Sequence, residues 1–138
     1  CGEPYMQSKV HDIMVAAMEP QNMVGYLEDG SLVIVPGDRV DNIVTSINAH
    51  LMRERASTSK ISGLLLTGGL VPHLSIVNLL CQVDVPVLLS EEDTATTSYK
   101  VRELVAKITP KDQDKLKIAG NLIKENVNIQ KVWGACEE

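Results

Sequence analysis

The chain has 138 residues, with thirteen Lys and Arg against eighteen Asp and Glu, a formal net charge of −5, three Tyr, one Trp and no Phe. One domain of that length buries a real core, here built from Val, Ile, Leu, Met and Ala. An acidic chain without a basic cluster or base-stacking aromatics argues against nucleic-acid binding, and no apolar run reaches membrane-spanning length.

Residues 1–8 read as a frayed start. Ile13-Met14-Val15-Ala16-Ala17 is a candidate first strand, and Pro20 suits the first turn of a short helix to about Tyr26. Leu32-Val33-Ile34-Val35 reads as a strand running into Pro36-Gly37-Asp38-Arg39. Asp38 is placed to cap the next helix, whose apolar stripe is Val40, Ile43, Val44, Ile47 and Leu51. Its other face carries Asp41, Asn48, Arg53 and Glu54, and Ala56–Ser59 ends it. Ile61–Leu66 is a third strand leading to Thr67-Gly68-Gly69, after which Pro72 precedes a helix with Ile76, Val77, Leu79 and Leu80. Pro86 opens a fourth strand, Val87-Leu88-Leu89, followed by Ser90-Glu91-Glu92-Asp93-Thr94. A helix from about Thr94 to Ile108 places Val101, Leu104, Val105 and Ile108 on one stripe, and Thr109-Pro110 breaks it. A last amphipathic helix, 111–125, uses Leu116, Ile118, Ala119, Leu122 and Ile123. The pattern predicts an α/β fold: a three-layer αβα sandwich with a mostly parallel sheet of about four strands, one domain over 1–138 with its core at 8–108.

Three polar turns therefore follow three apolar strands, at the carboxyl edge where open α/β sheets bind ligands. Gly68-Gly69 could present backbone N–H groups to an anion, or serve only as a tight strand-to-helix turn. Arg39 could grip a phosphate or carboxylate bidentately. Equally, Asp38 caps its helix while Arg39 pairs with a neighbouring turn such as Asp93. Asp93 or Thr94 reads as a helix cap, with hydroxyls at Thr96 and Thr97 beside it, and Glu91 and Glu92 read as surface charge. His73, next to Pro72, is either a phosphate contact or a structural residue. His11 and His50 lack companions at metal-ligand spacing, so no metal is expected. Neither G-x-x-x-x-G-K-[ST] nor G-x-G-x-x-G occurs, so no nucleotide cofactor is expected, and no nucleophile–base pair stands out.

Cys1, Cys81 and Cys136 are odd in number and far apart, which argues against a disulfide framework or zinc site and for a reducing cytoplasm. Cys81 reads as a small core residue, and Met14, Met18 and Met23 as gap-filling core residues. No signal peptide is visible. A start at Cys fits an excised or truncated segment better than a mature lipoprotein.

Taken together and in order, Pro36-Gly37-Asp38-Arg39, Thr67-Gly68-Gly69 and Asp93-Thr94 resemble the DRTGG domain family, over about residues 8–108. Ala17-Met18 before Pro20, Gly30–Ile34 and Pro86-Val87-Leu88 before Glu92 match as well. The resemblance implies an α/β fold similar to the N-terminal domain of HPr kinase/phosphorylase. It also implies a regulatory or structural role beside P-loop, phosphotransacetylase or CBS domains, with no established catalytic set. The expectation is a non-catalytic regulatory module that self-associates as a homodimer and binds a small anionic metabolite or nucleotide. The expected ligand residues are Asp38, Arg39, Thr67, Gly68, Gly69, His73, Asp93 and Thr94, with a P-loop or acyltransferase protein as partner. The alternative is a purely structural interaction domain whose turns only cap and pack, or a detached subunit or fragment of a cobyrinic-acid-synthase-like or phosphotransacetylase-like protein.

Overall fold

The computed structural model describes residues 1–52, 60–104 and 113–126. It divides into two compact units, Cys1–Glu103 and Leu104–Glu138. The first holds strands β1 (Asp12–Val15), β2 (Ser31–Pro36), β3 (Gly63–Thr67) and β4 (Val87–Leu89), and helices α1 (Pro20–Met23), α2 (Val40–Leu51), α3 (Leu74–Leu80) and α4 (Thr94–Arg102). Helix α1 continues into a 3-10 turn, Val24–Tyr26. The strands pair in the order β1-β2-β3-β4, all parallel.

Sequential order explains the layers. Right-handed crossovers taken repeatedly in one direction leave their helices on one face of the sheet, and α2 packs on both α1 and α3. Alternation along the strands supplies the core beneath them. Met14, Val33, Val35, Leu64 and Leu66 join Met23, Ile43, Ile47 and Leu80 in one buried cluster. Ile34 and Leu65, of opposite parity, face away from it. After β4 the chain returns over that second face, where α4 reaches back to β1 and β2. The result is an α/β sandwich with its sheet in the middle.

Helix α2 is half polar on its buried side. Asn42, Ser46 and His50 are fully buried beside Ile43, Ile47 and Ala49. Each has a bond that offsets its burial. The Asn42 amide donates to the Ala16 and Met18 carbonyls, both at 3.0 Å, and the Ser46 hydroxyl to the Asn42 carbonyl at 2.8 Å. His50 Nε2 lies 2.9 Å from Asp84 Oδ1, tying the end of α2 to the loop before β4.

Several expectations are corrected. Residues 1–8 are not a frayed end. Cys1 forms a disulfide with Cys81, Cys1 and Val87 exchange backbone hydrogen bonds, and Glu3–Tyr5 is a 3-10 turn. Cys81 is exposed, not core, because it is the residue that ends α3. Leu51 lies at the far end of its stripe and is exposed. Helix α4 ends at Arg102, and Leu104 is 73% exposed. The buried side of α4 is hydroxylic instead, with Thr97 its buried residue. Arg53, Glu54, Ala56–Ser59, Val105, Ile108 and Thr109-Pro110 lie outside the described residues. In the second unit, α5 (Gln113–Asn126) has no buried side chain, and Leu116, Ile118, Leu122 and Ile123 are exposed among the described residues.

Asn42→Ala leaves two carbonyls of the β1–α1 loop without their donor. It should destabilise the fold by about 2 kcal/mol, the cost of unsatisfied buried polar groups, measured by urea denaturation.

Candidate functional site at the carboxyl edge of the sheet

The three turns meet, and they meet through their backbones. Gly37 N–H donates to the Thr67 carbonyl at 3.1 Å, and Ser90 N–H to the Leu66 carbonyl at 2.8 Å. Gly68 N–H donates to the Glu92 carbonyl at 2.7 Å and Gly69 N–H to the Ser90 carbonyl at 2.9 Å. Side chains repeat the pattern: the Thr67 and Thr94 hydroxyls are 2.7 Å apart, and those of Ser90 and Thr97 2.9 Å. The β2, β3 and β4 turns thus form one stitched edge.

The glycines make this closure possible. Gly68 and Gly69 have φ values of +81° and +64°, a region costly for other residues. Gly37 is needed for space, since a Cβ there would lie 1.8 Å from the Leu70 carbonyl oxygen. The glycine N–H groups expected to meet an anion are therefore engaged within the protein. A carboxylate already rests against the turn, because a Cβ on Gly69 would lie 2.6 Å from Glu91 Oε2.

Of the expected ligand residues, Thr67, Gly68, Gly69, Asp93 and Thr94 come together in this edge. Asp38 is exposed and makes no cap; Arg39 holds the N-cap position of α2, without a side-chain cap. The Arg39 guanidinium forms a two-point pair with Asp41, not Asp93, at 3.0 and 2.9 Å. The two residues sit two apart at the helix start, so the pair closes locally. Each shifts the other by this hydrogen-bonded contact: Asp41 lies below the usual carboxylate range and Arg39 above its ordinary value. His73 is the N-cap of α3, its Nδ1 accepting from Ser75 N–H at 3.3 Å and lying 3.1 Å from the Ser75 hydroxyl. Asp93 caps α4, accepting from Thr96 N–H at 2.9 Å and from its hydroxyl at 2.7 Å. Those bonds hold the Asp93 carboxyl below its ordinary value. Glu92 pairs with Lys100 on α4.

What pattern reading missed is the apolar rim. Leu70 and Val71, directly after the glycine turn, and Leu74, which opens α3, are 46%, 66% and 67% exposed. The signal was present in Leu70-Val71-Pro72, an apolar run outside any helix or strand.

The DRTGG domain family model matches residues 1–104. The chain belongs to the DRTGG domain family. Phosphate acetyltransferase of Nitratidesulfovibrio vulgaris is 35% identical over 130 residues, which cover 92% of this chain and 18% of that protein. Phosphate acetyltransferase of Synechocystis is 28% identical over 95% of this chain and 19% of its own length. The DRTGG chain thus spans less than a fifth of these relatives. Among solved structures, the CBS and DRTGG domains of the regulatory region of Clostridium perfringens pyrophosphatase, complexed with the activator diadenosine tetraphosphate, align with a TM-score of 0.51. The identity is 24%, over 63% of this chain and 33% of that one. That likeness is one of fold. Among the described residues no helix is long and apolar enough to cross a membrane.

Gly37→Ala drives a methyl group into the Leu70 carbonyl and should cost about 3 kcal/mol, at the upper end for overpacking, read from urea midpoints. The stabilising effect of Asp93 has a definite pH dependence. Its folded value is depressed, so the contribution is complete above the unfolded carboxyl value of about 3.9 and is lost as pH falls through the folded value. The stability gap between the native protein and Asp93→Ala should therefore be constant near neutrality and narrow in acid.

Proposed function

We propose that this DRTGG domain is a non-catalytic regulatory module of a phosphate acetyltransferase-type protein, acting in the same chain or as a separate subunit. It docks through the carboxyl edge of its sheet to a second copy of itself. The observation that carries this reading is the exposed Leu70-Val71-Leu74 rim beside a closed edge. A surface that has engaged its own polar donors and still presents apolar side chains suits a protein partner better than an open catalytic cleft. Kinship with phosphate acetyltransferases over most of this chain supports the regulatory setting.

A small anionic metabolite enters the same reading at Arg39. The activator in the pyrophosphatase regulatory region supports control by such a ligand. Arg39 is a partly exposed cation at this edge, and an anion would bind there by exchanging with Asp41.

Val71→Asp with Leu74→Asp places two charges in the rim without touching the core. Light scattering at roughly 50 µM, a range where weak dimers are half formed, should show a dimer for the native chain and a monomer for the double variant. A native chain that stays monomeric, or a dimer indifferent to both charges, contradicts the docking surface.

A further inference from the structure

The amino edge of the sheet, opposite the turns, holds a cavity of about 330 Å³ lined by Ser8, Lys9, His11, Asp29, Lys60 and Ser62, among others. We propose that it binds a small phosphorylated metabolite through the Lys9 and Lys60 ammonium groups. This inference stands apart from the docking surface and from Arg39.

The walls are fixed by hydrogen bonds between the three strand entrances. His11 N–H donates to the Gly30 carbonyl at 2.9 Å and Gly30 N–H to the Lys60 carbonyl at 2.8 Å. Lys60 N–H donates to Asp29 Oδ1 at 2.7 Å, and the buried Ser62 hydroxyl donates to the Lys9 carbonyl. Lys9 and Lys60 therefore rise from a cross-tied backbone, which lowers the ordering cost of binding. Ile61 and Ser62 make the floor, buried to 1% and 8% exposure.

Charge selects the ligand class. Among the described residues neither lysine ammonium has an ion pair, in a chain whose net charge is −5. Two cations in one concave site concentrate positive potential there. Against them stands Asp29, one of whose oxygens is held by the Lys60 N–H. The balance favours a phosphate group, with up to two charges and several acceptor oxygens, over a monocarboxylate. Size sets the rest. The cavity lies at the lower end of the range for ligand pockets, so a compact phosphorylated compound fits better than a dinucleotide. His11 also lines a second cavity of about 290 Å³ with Asp12 and Arg102, whose opposite charges give that neighbour no net sign.

The test uses the full chain in a phosphate-free, low-salt buffer, titrated with inorganic phosphate, pyrophosphate and acetate and followed by NMR. Phosphate and pyrophosphate should shift the amides of His11, Gly30 and Ser62 saturably, with acetate at least about tenfold weaker. Lys9→Gln with Lys60→Gln should weaken binding at the cavity by roughly tenfold or more, and Arg39→Ala should leave the shifts of the His11, Gly30 and Ser62 amides unchanged. Both lysines are exposed, so an unaltered spectrum away from the cavity verifies the fold of the variant. Failure to bind phosphate or pyrophosphate, or binding that survives both glutamines, overturns the proposal. Acetate binding as tightly as phosphate overturns the ligand class. Binding lost in Arg39→Ala but kept in the lysine variant moves the anion to the carboxyl edge and supports the function proposed above instead.

Discussion

The closure of three strand-to-helix turns upon one another is the constraint on which the rest of the first unit depends. Parallel strands end with their last polar groups unpaired unless something beyond the sheet receives them. Here the turns receive each other: Gly37 bonds Thr67, while Gly68 and Gly69 bond the segment that follows β4. Because Thr67 also meets Thr94 through its hydroxyl, the same stitch sets where α4 begins on the second face. Loss of the edge would loosen both a loop and the register between sheet and helix.

This arrangement assigns the residues that name the family to two separate tasks. The Thr-Gly-Gly segment supplies positive φ and backbone donors to the closed edge. The Asp-Arg segment lies at the start of α2, where Arg39 closes on Asp41 and keeps its charge partly in solvent. A sequence signature of this type marks a shape as much as a chemistry. The apolar rim at Leu70, Val71 and Leu74 stands on that shape, since the Leu70 carbonyl packs against Gly37. The amino edge is built differently. Its backbone is equally tied, yet it leaves Lys9 and Lys60 without ionic partners among the described residues.

Most of the fold was legible because its signals are local. Apolar runs of three to six residues, each followed by a polar turn and a helical stretch, point to parallel strands and to turns gathered on one side. The grouping of Thr67, Gly68, Gly69 and Thr94 followed from that topology. What was not legible depends on contacts between distant segments. Which carbonyl receives the Gly68 N–H is decided by Glu92, twenty-four positions on, and no spacing rule reveals it. Arg39 pairs locally because Asp41 is already at hand, which a search for partners across turns overlooks. The hydroxylic underside of α4 carries no apolar period, and the helix ends at Arg102, short of Leu104. The Cys1–Cys81 bond joins residues eighty apart, and their count and spacing offered no pairing signal.

The central claim is that the glycine donors of the carboxyl edge are already engaged by the protein itself. Amide hydrogen exchange followed by NMR measures this directly at Gly37, Gly68 and Gly69. Protection comparable to that of Leu64 and Leu65 inside β3 is the predicted result, with or without added phosphate. Exchange at the rate of an unstructured peptide, reversed only when an anion is added, would show that these N–H groups wait for a ligand and would contradict the account.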